Sequence, residues 1–128
     1  ALAGHVEIGE NAIIGGNSAI HQFVQIGKNS MIGGMSGVEK NILPYCLYMG
    51  IRTGLKGLNL IGLKRKNISN ENIKMISLFL KHIFDQKKSI ETNLQNLKKE
   101  YEKIEEVQEI IEFIKKSNKR GIASLIDE

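Results

Sequence analysis

An aliphatic residue recurs at every sixth position through the first third of the chain. The seven positions are Leu2, Ile8, Ile14, Ile20, Ile26, Ile32 and Val38. A period of six matches neither an α-helix, which repeats every 3.6 residues or so, nor a two-faced strand, which repeats every two. It matches a short strand followed by a turn, with three such units closing one triangular coil around the inward aliphatic side chains. The pattern therefore predicts a parallel β-helix over residues 1–43.

Glycine often follows the inward aliphatic residue, as at Gly9, Gly15 and Gly27. A glycine there lets the backbone turn tightly where a side chain would obstruct it. Pro44 falls where the next inward aliphatic residue is due, and it has no N–H group for a ladder hydrogen bond. We therefore expect the repeat to end before Pro44, and residues 44–56 to connect it to the rest of the chain.

The hydrophobic spacing changes to three and four residues beyond this connecting segment, which predicts amphipathic helices. A first, short helix is expected to end near Lys66. Ser69 is the expected N-cap of the second helix and Ser89 that of a third, which extends to Ile104. A fourth helix is expected to end at about Lys116, and the last twelve residues are expected to form a tail.

Residues 57–128 are thus predicted to form an α-helical C-terminal domain. Helices of this length are marginally stable alone, so their apolar stripes must pack against one another and against the coil. We expect a helical bundle that covers the open edge of the β-helix, where unpaired strands would otherwise be exposed.

The chain has 128 residues, with 18 basic and 14 acidic side chains and a net charge of +4. Most of the lysines are mixed with glutamates, which is typical of a solvated helix face. The single cysteine, Cys46, excludes an internal disulfide framework and suits a reducing compartment. We expect a cytoplasmic protein with no transmembrane segment and no nucleic-acid partner. Because the repeat is already in phase at Leu2, we expect the C-terminal portion of a longer protein.

Two histidines depart from the simple repeat. His21 replaces the glycine expected after Ile20, and His5 lies in the string LAGHV. A single outward histidine is often only a solvated side chain, but two in neighbouring coils, with Gln22 beside one, favour a site. Histidine titrates near pH ~6.5 and suits acid–base chemistry, while Gly4 would offer its N–H group to an oxyanion. Zinc needs three or four converging ligands, so we expect no metal site.

A tight basic cluster lies near the end of the first predicted helix. Lys64, Arg65 and Lys66 would complement the dipole at the helix C-terminus. They would equally suit a phosphate clamp, since arginine grips phosphate oxygens through two parallel hydrogen bonds. Asn59 lies six residues before Arg65 and would add hydrogen bonds to a ligand. Composition alone leaves the two interpretations open.

Several strings together go beyond a generic hexapeptide protein. In order, they are LAGHV, IIGGNSAIHQF, IGGMSGV, a Pro-Tyr pair and GLNLIGLKRK. On these strings the chain closely resembles the UDP-N-acetylglucosamine acyltransferase family of lipid A synthesis. The likeness extends over the whole chain and is sharpest from Leu2 to Lys66. The resemblance implies a homotrimer of left-handed parallel β-helices with active sites between neighbouring subunits, and no cofactor.

The resemblance also implies a reaction. An (R)-3-hydroxyacyl chain would move from acyl carrier protein to the sugar 3-position of a UDP-sugar. The general base of the family, a histidine oriented by an acidic residue, would lie one coil before LAGHV and so outside this chain. His5 resembles the second active-site histidine, and Gly4 resembles the oxyanion donor. His21 and Gln22 resemble the pair that lines the UDP-sugar site.

The remaining site residues follow from the same resemblance. Asn59, Arg65 and Lys66 resemble the nucleotide and phosphate contacts. Gly34 resembles the position that sets acyl-chain length, where a missing side chain would leave the groove open to a longer acyl chain. Arg52 stands near the acyl tail where a histidine is frequent in the family.

Two further departures concern recognition of the nucleotide. Ile61 stands where an acidic residue is often found, and Lys66 stands where a second arginine is common. The departures leave open whether the acceptor is a hydroxyl or an amino group, and the basic helices would also suit recognition of an acidic carrier protein. Two alternatives therefore stay open. One is a non-catalytic module for trimerisation and docking of acyl carrier protein, and the other is the related N-acyltransferase of the same pathway.

Overall fold

The computed structural model describes residues 1–126 as a parallel coil followed by helices. The strands are β1 (Glu7–Ile8), β2 (Ile13–Ile14), β3 (Ala19–Ile20), β4 (Gln25–Ile26), β5 (Met31–Ile32), β6 (Gly37–Val38), β7 (Cys46–Tyr48) and β8 (Leu55–Leu58). Each strand of one coil pairs in parallel with the corresponding strand of the next, so β1 pairs with β4, β2 with β5 and β3 with β6. These three ladders confirm the predicted parallel β-helix.

The inward aliphatic side chains form the core of the coil. Ile20, Ile26, Ile32 and Val38 are at most 2% exposed. Ile8, in the first coil, is 42% exposed because a coil of the described chain covers it on one side only. Burial of each inward residue therefore depends on a neighbouring coil on both sides, as expected for a repeat whose units cannot bury their cores alone.

The repeat does not end before Pro44, and that prediction was wrong. The strand β7 pairs in parallel with β5, and a further parallel bridge joins Gly37 to Ile51. The third coil is shorter than the earlier ones, because Ile42 rather than Pro44 pairs with Ile26. Pro44 lies instead in a turn, against Gly27 of the preceding coil. The N–H groups at the equivalent turn positions, Lys28 and Gly34, donate no backbone hydrogen bond between coils of the described chain, so a proline fits there. Residues 44–56 thus belong largely to the coil, and β8 then returns antiparallel to β7.

The second half of the described chain is helical, as predicted. The helices are α1 (Leu60–Arg65), α2 (Asn70–Ile83), α3 (Ile90–Gln95), α4 (Lys99–Glu102) and α5 (Glu105–Lys116). The two predicted N-caps are confirmed, since the hydroxyls of Ser69 and Ser89 accept hydrogen bonds from the N–H groups of Asn72 and Thr92. The long helix α2 packs against α3, α4, α5 and β8.

The predicted third helix is interrupted, so the prediction of one element up to Ile104 was wrong. The break follows from Asn93, which is 6% exposed and donates hydrogen bonds to the carbonyls of Ile83 and Asp85. These bonds hold the end of α3 against the end of α2. The chain then becomes extended at Lys98 before α4 begins.

The segment after α5 is also more ordered than predicted. Parallel bridges join Ile122 to Asn41 and Leu125 to Leu55, and Ala123 is 2% exposed. The predicted tail therefore packs back onto the coil through Ile126, while its last two residues lie outside the described part of the chain. None of the helices in residues 1–126 combines the length and apolarity that crossing a membrane requires.

Candidate functional site

The structure brings Gly4, His5 and Gln22 together on the surface of the first two coils. The His5 N–H group donates to Oε1 of Gln22 at 3.0 Å, and the His5 ring lies 5.6 Å from the ring of Phe23. A Cβ atom added at Gly4 would come 3.9 Å from the same Gln22 oxygen. The Gln22 side chain therefore holds the backbone of the LAGHV string next to an exposed imidazole.

His21 points to a different partner from its neighbour Gln22. Its Nε2 atom lies 3.9 Å from Oε1 of Glu39, and Nε of Arg52 lies 3.8 Å from the same oxygen. One carboxylate thus lies between His21, predicted to line the sugar site, and Arg52, predicted to lie near the acyl tail. Sequence analysis missed Glu39, although it occupies the position of His21 one full coil later and that register would have revealed it.

Asn59, Arg65 and Lys66 line one cleft between the coil and α1, with a volume of about 490 Å³. The other lining residues are Asn11, Ala12, Ile13, Asn29, Met31, Ile61 and Gly62. The lining thus contains two basic side chains and, among residues 1–126, no carboxylate. A cleft of this charge favours an anionic ligand.

The Asn59 side chain fixes the position of α1. It is 6% exposed, its Nδ2 donates to the Asn29 carbonyl at 3.0 Å, and its Oδ1 accepts from the Gly62 N–H group at 3.2 Å. As the N-cap, Asn59 joins the coil to the helix whose last turn contains Arg65. Its evident role is thus to orient that helix, while a direct contact with a ligand stays a prediction.

The two basic residues of the cleft differ in their surroundings. Arg65 is exposed and forms no ion pair within the described residues. Lys66 donates from Nζ to the Tyr45 hydroxyl at 3.2 Å and lies 5.1 Å from the centre of the Tyr45 ring. Arg65 is therefore available to an anion, whereas Lys66 is held against an aromatic side chain.

A charged network lies behind Lys66. The Tyr45 hydroxyl donates to Oε1 of Glu109 at 2.6 Å, and the Lys28 ammonium donates to Oε2 of the same carboxylate. Burial opposes ionisation of Glu109, but the hydrogen bonds from Lys28 and Tyr45 outweigh it and hold the pKa of Glu109 below its usual value. Sequence analysis missed this network because its members lie far apart in the chain and no repeat relates α5 to the coil.

Replacing Glu109 with glutamine is expected to lower the free energy of unfolding at neutral pH by about 2 kcal/mol, because hydrogen bonds to charged groups contribute about 1.5–3 kcal/mol. The folded-state pKa of Glu109 is depressed, so its stabilisation is present above the ordinary pKa of 4.5 and is lost as the pH falls through the folded value. Urea unfolding of both proteins at pH 7 and at about pH 3 checks this expectation.

The difference between the two proteins should shrink at the lower pH. The hydrogen bond to Glu109 raises the pKa of Lys28 above its ordinary value of 10.5, so the lysine side of the pair stays charged throughout this range. A difference in unfolding free energy that is as large at about pH 3 as at pH 7 would contradict the assigned ionisation of Glu109.

Gly34 is not among the residues that line the cleft, nor among the contacts of His5 and His21 described above. It is exposed in the turn between β5 and β6, and a Cβ atom added there would come 3.4 Å from the carbonyl oxygen of Gly16 in the preceding coil. The position therefore has room for a side chain that points away from the coil. Its predicted influence on acyl-chain length stays a prediction.

Comparison with known proteins agrees with this geometry. The family model described as Udp N-acetylglucosamine O-acyltransferase, domain 2, matches residues 41–123, and the bacterial transferase hexapeptide model (six repeats) matches residues 4–40. An acyl-[acyl-carrier-protein]–UDP-N-acetylglucosamine O-acyltransferase of Sinorhizobium fredii is 37% identical over 123 residues, which cover 96% of this chain and 46% of the relative. The chain thus spans about half the length of the curated relatives it matches.

Solved structures give the same result. UDP-N-acetylglucosamine acyltransferase from Campylobacter jejuni matches with a TM-score of 0.84 and 34% identity, over 98% of this chain and 48% of that one. UDP-N-acetylglucosamine O-acyltransferase from Moraxella catarrhalis matches with a TM-score of 0.86 and 36% identity, over 95% of this chain and 47% of that one. The hexapeptide match and these neighbours identify the coil as a left-handed β-helix. From its coil, its cleft and these matches, the chain belongs to the family of UDP-N-acetylglucosamine O-acyltransferases.

Proposed function

We propose that this chain forms the sugar-nucleotide-binding part of an acyltransferase that acts in the first step of lipid A biosynthesis. The enzyme would transfer an (R)-3-hydroxyacyl chain from acyl carrier protein to the 3-position of UDP-N-acetylglucosamine. The observation that supports this most directly is the cleft lined by Arg65 and Lys66 and, within residues 1–126, by no carboxylate. It suits a diphosphate, because guanidinium and ammonium groups bind phosphate oxygens through charge-assisted hydrogen bonds.

The chemistry requires attack of the sugar 3-hydroxyl oxygen on the thioester carbonyl carbon of the acyl carrier. A C–O bond forms, the C–S bond breaks, and the hydroxyl proton passes through a general base to the departing thiol. We place that base, a histidine, one coil before Gly4 and outside this sequence. The Gly4 N–H group would stabilise the tetrahedral oxyanion, and His5, held through Gln22, would contact the substrate. His21 would line the sugar-nucleotide site beside Gln22.

Gly34 and Arg52 would contact the acyl chain. Gly34 has no side chain and leaves its turn open, which would admit a longer acyl chain than a bulky residue would. Arg52 is exposed and its guanidinium lies near Glu39, so it would reach the polar end of the acyl groove rather than its apolar floor.

We infer that the active protein is a homotrimer with active sites between neighbouring subunits. Several large apolar side chains are exposed on the coil, namely Ile13, Phe23, Met35, Met49 and Ile51. Exposed apolar side chains of this kind are typical of surfaces that bind another protein. The helices would form a bundle around α2. The lysines of this bundle would attract an acidic acyl carrier protein. The protein would act in the reducing cytoplasm.

Calorimetric titration with UDP-N-acetylglucosamine tests the proposal. We expect saturable binding that weakens as the salt concentration rises, because the contacts to the diphosphate are electrostatic. Binding of acyl carrier protein without any affinity for the nucleotide would instead favour a docking module. Preference for a 3-amino sugar nucleotide over the 3-hydroxy form would favour the related N-acyltransferase.

A further inference from the structure

The hydroxyl of Tyr45 connects the nucleotide cleft to α5. It lies 3.2 Å from Nζ of Lys66 on one side and 2.6 Å from Oε1 of Glu109 on the other. The Tyr45 side chain is fully buried. Its backbone is also held, since its N–H group donates to the Lys28 carbonyl at 3.0 Å and its carbonyl accepts from the Asn59 N–H group at 2.7 Å. The hydroxyl therefore has a fixed position next to the cleft.

The direction of each hydrogen bond follows from the chemistry of the three groups. An ionised carboxylate only accepts, and an ammonium only donates. The Tyr45 hydroxyl must therefore give its single proton to Glu109, which directs its lone pairs toward Lys66. Burial and the hydrogen bond to Glu109 raise the pKa of the Tyr45 phenol, so it keeps that proton. Lys66 therefore donates to the Tyr45 hydroxyl, and the Tyr45 hydroxyl donates to Glu109.

Lys28 keeps Glu109 from cancelling the charge of the cleft. Its ammonium bonds the second oxygen of the carboxylate and also lies 3.7 Å from Oε1 of Glu10. Lys28 and Glu109 neutralise each other, and the second carboxylate, Glu10, is 73% exposed, so water screens its charge. The positive charge of Lys66 therefore remains available to a ligand, although its side chain is tethered through the network.

We propose that Glu109 and Tyr45 are positioning residues for Lys66, which they hold ready to bind the diphosphate of the sugar nucleotide. This rests on the proposed function, because the nucleotide is the ligand that Lys66 would contact. A free lysine side chain has many rotamers, and binding must restrict them. The Tyr45 hydroxyl occupies one of the three ammonium donors and restricts these rotamers in advance, which leaves the other two donors for phosphate oxygens.

Replacing Tyr45 with phenylalanine removes the hydroxyl and keeps the ring, so it tests the link directly. We expect the affinity for UDP-N-acetylglucosamine to fall about fivefold, because binding must then immobilise one more rotamer-rich side chain. In a Lys66→Met background the same Tyr45→Phe change should have no further effect, because the hydroxyl acts through Lys66. Unchanged affinity in the single variant, or an equal loss in both backgrounds, would overturn the proposal.

Tyr48→Phe is the matched control. The Tyr48 side chain is also buried, and its hydroxyl donates to the Gly37 carbonyl at 2.8 Å, so this variant loses one buried hydrogen bond in the same coil. The Tyr48 hydroxyl bonds the backbone of the coil, whereas the Tyr45 hydroxyl bonds Lys66. We expect a lower melting temperature with unchanged nucleotide affinity. If Tyr48→Phe weakens binding as much as Tyr45→Phe, general loosening of the coil explains the effect and the positioning role is wrong.

A second measurement does not depend on the nucleotide. Amine-selective labelling followed by mass spectrometry reports how freely the Lys66 amine reacts, with the exposed Lys98 as the internal reference. We expect Lys66 to be labelled faster in both Tyr45→Phe and Glu109→Gln than in the unaltered protein. Equal rates would overturn the positioning role. Faster labelling together with no nucleotide binding by the unaltered protein would refute the proposed function and leave the network intact.

Discussion

Replacing Arg65 with alanine is expected to weaken binding of UDP-N-acetylglucosamine about 10- to 100-fold. Hydrogen bonds to charged groups contribute about 1.5–3 kcal/mol, and every 1.4 kcal/mol or so is a factor of ten in affinity. Arg65 is exposed at the end of α1, and within residues 1–126 it forms no ion pair that the change would break. The loss should therefore appear in binding, measured by calorimetric titration, far more than in stability.

Two further variants sharpen this expectation. Lys98→Ala removes one positive charge from an exposed residue that precedes α4 and makes no side-chain capping hydrogen bond, so it should leave the affinity unchanged. Arg65→Lys keeps the charge but loses the planar fork that bonds two phosphate oxygens, so its affinity should lie between those of the wild-type protein and Arg65→Ala. Equal effects of Lys98→Ala and Arg65→Ala would show that net charge, rather than the cleft, attracts the nucleotide.

Replacing Gly27 with alanine is expected to destabilise the coil by about 3 kcal/mol or more, at the upper end of the usual cost of overpacking. A Cβ atom at this position would come 2.4 Å from the Pro44 nitrogen and 2.7 Å from its Cα and Cδ atoms. These atoms belong to a backbone and a ring that cannot rotate away, so the coil itself would have to shift. Urea unfolding followed by circular dichroism measures the loss.

Gly16→Ala is the appropriate control for this change. Gly16 lies in a turn of the preceding coil, between β2 and β3, and a Cβ atom added there would meet nothing within 4 Å. We expect its unfolding free energy to change by about 0.5 kcal/mol or less, as for ordinary surface substitutions. If both alanine variants were equally stable, close approach of successive coils at Gly27 would not explain why glycine follows the inward aliphatic residue.

The same contact gives a physical reason for part of the six-residue pattern. Cβ atoms added at Gly9 and Gly15 would also come 2.4 Å from backbone atoms of the next coil. The glycines are therefore required by the distance between coils, and the aliphatic residues by the interior of the triangle. The aliphatic requirement recurs at every unit, and the glycine requirement recurs on two of the three faces, since His21 and Glu39 take this place on the third. These recurrences made the parallel coil predictable from the pattern.

Other features were predictable because they are local. A serine just before an apolar helical stretch identified the starts of α2 and α3, since its hydroxyl satisfies an N–H group three residues on. The break between α3 and α4 was not predictable, because it depends on the Asn93 side chain meeting carbonyls at the end of another helix. The shortened third coil likewise depends on which residue packs beneath Ile26, a choice the spacing alone did not reveal.

The candidate site divides in the same way. The resemblance selected Asn59, Arg65 and Lys66, and the fold places all three around one cleft. The partners of several site residues came from elsewhere in the chain, as with Glu39 beside His21 and Glu109, which reaches Lys66 through Tyr45. Glu39 follows the repeat and was missed only because the register was not applied to charged residues, whereas Glu109 lies on a helix that no repeat relates to the coil.

Periodicity and short-range chemistry in this chain were sufficient to establish a parallel coil, helices after it and a basic cluster at the end of the first helix. Such signals suffice where each residue's environment is made by its near neighbours or by its own repeat. Packing of distant segments settled the length of the third coil, the return of Ile122 and Leu125 onto Asn41 and Leu55, and the tether from Glu109 to Lys66. Those contacts depend on where α5 docks on the coil, and that position follows from the burial of many side chains together.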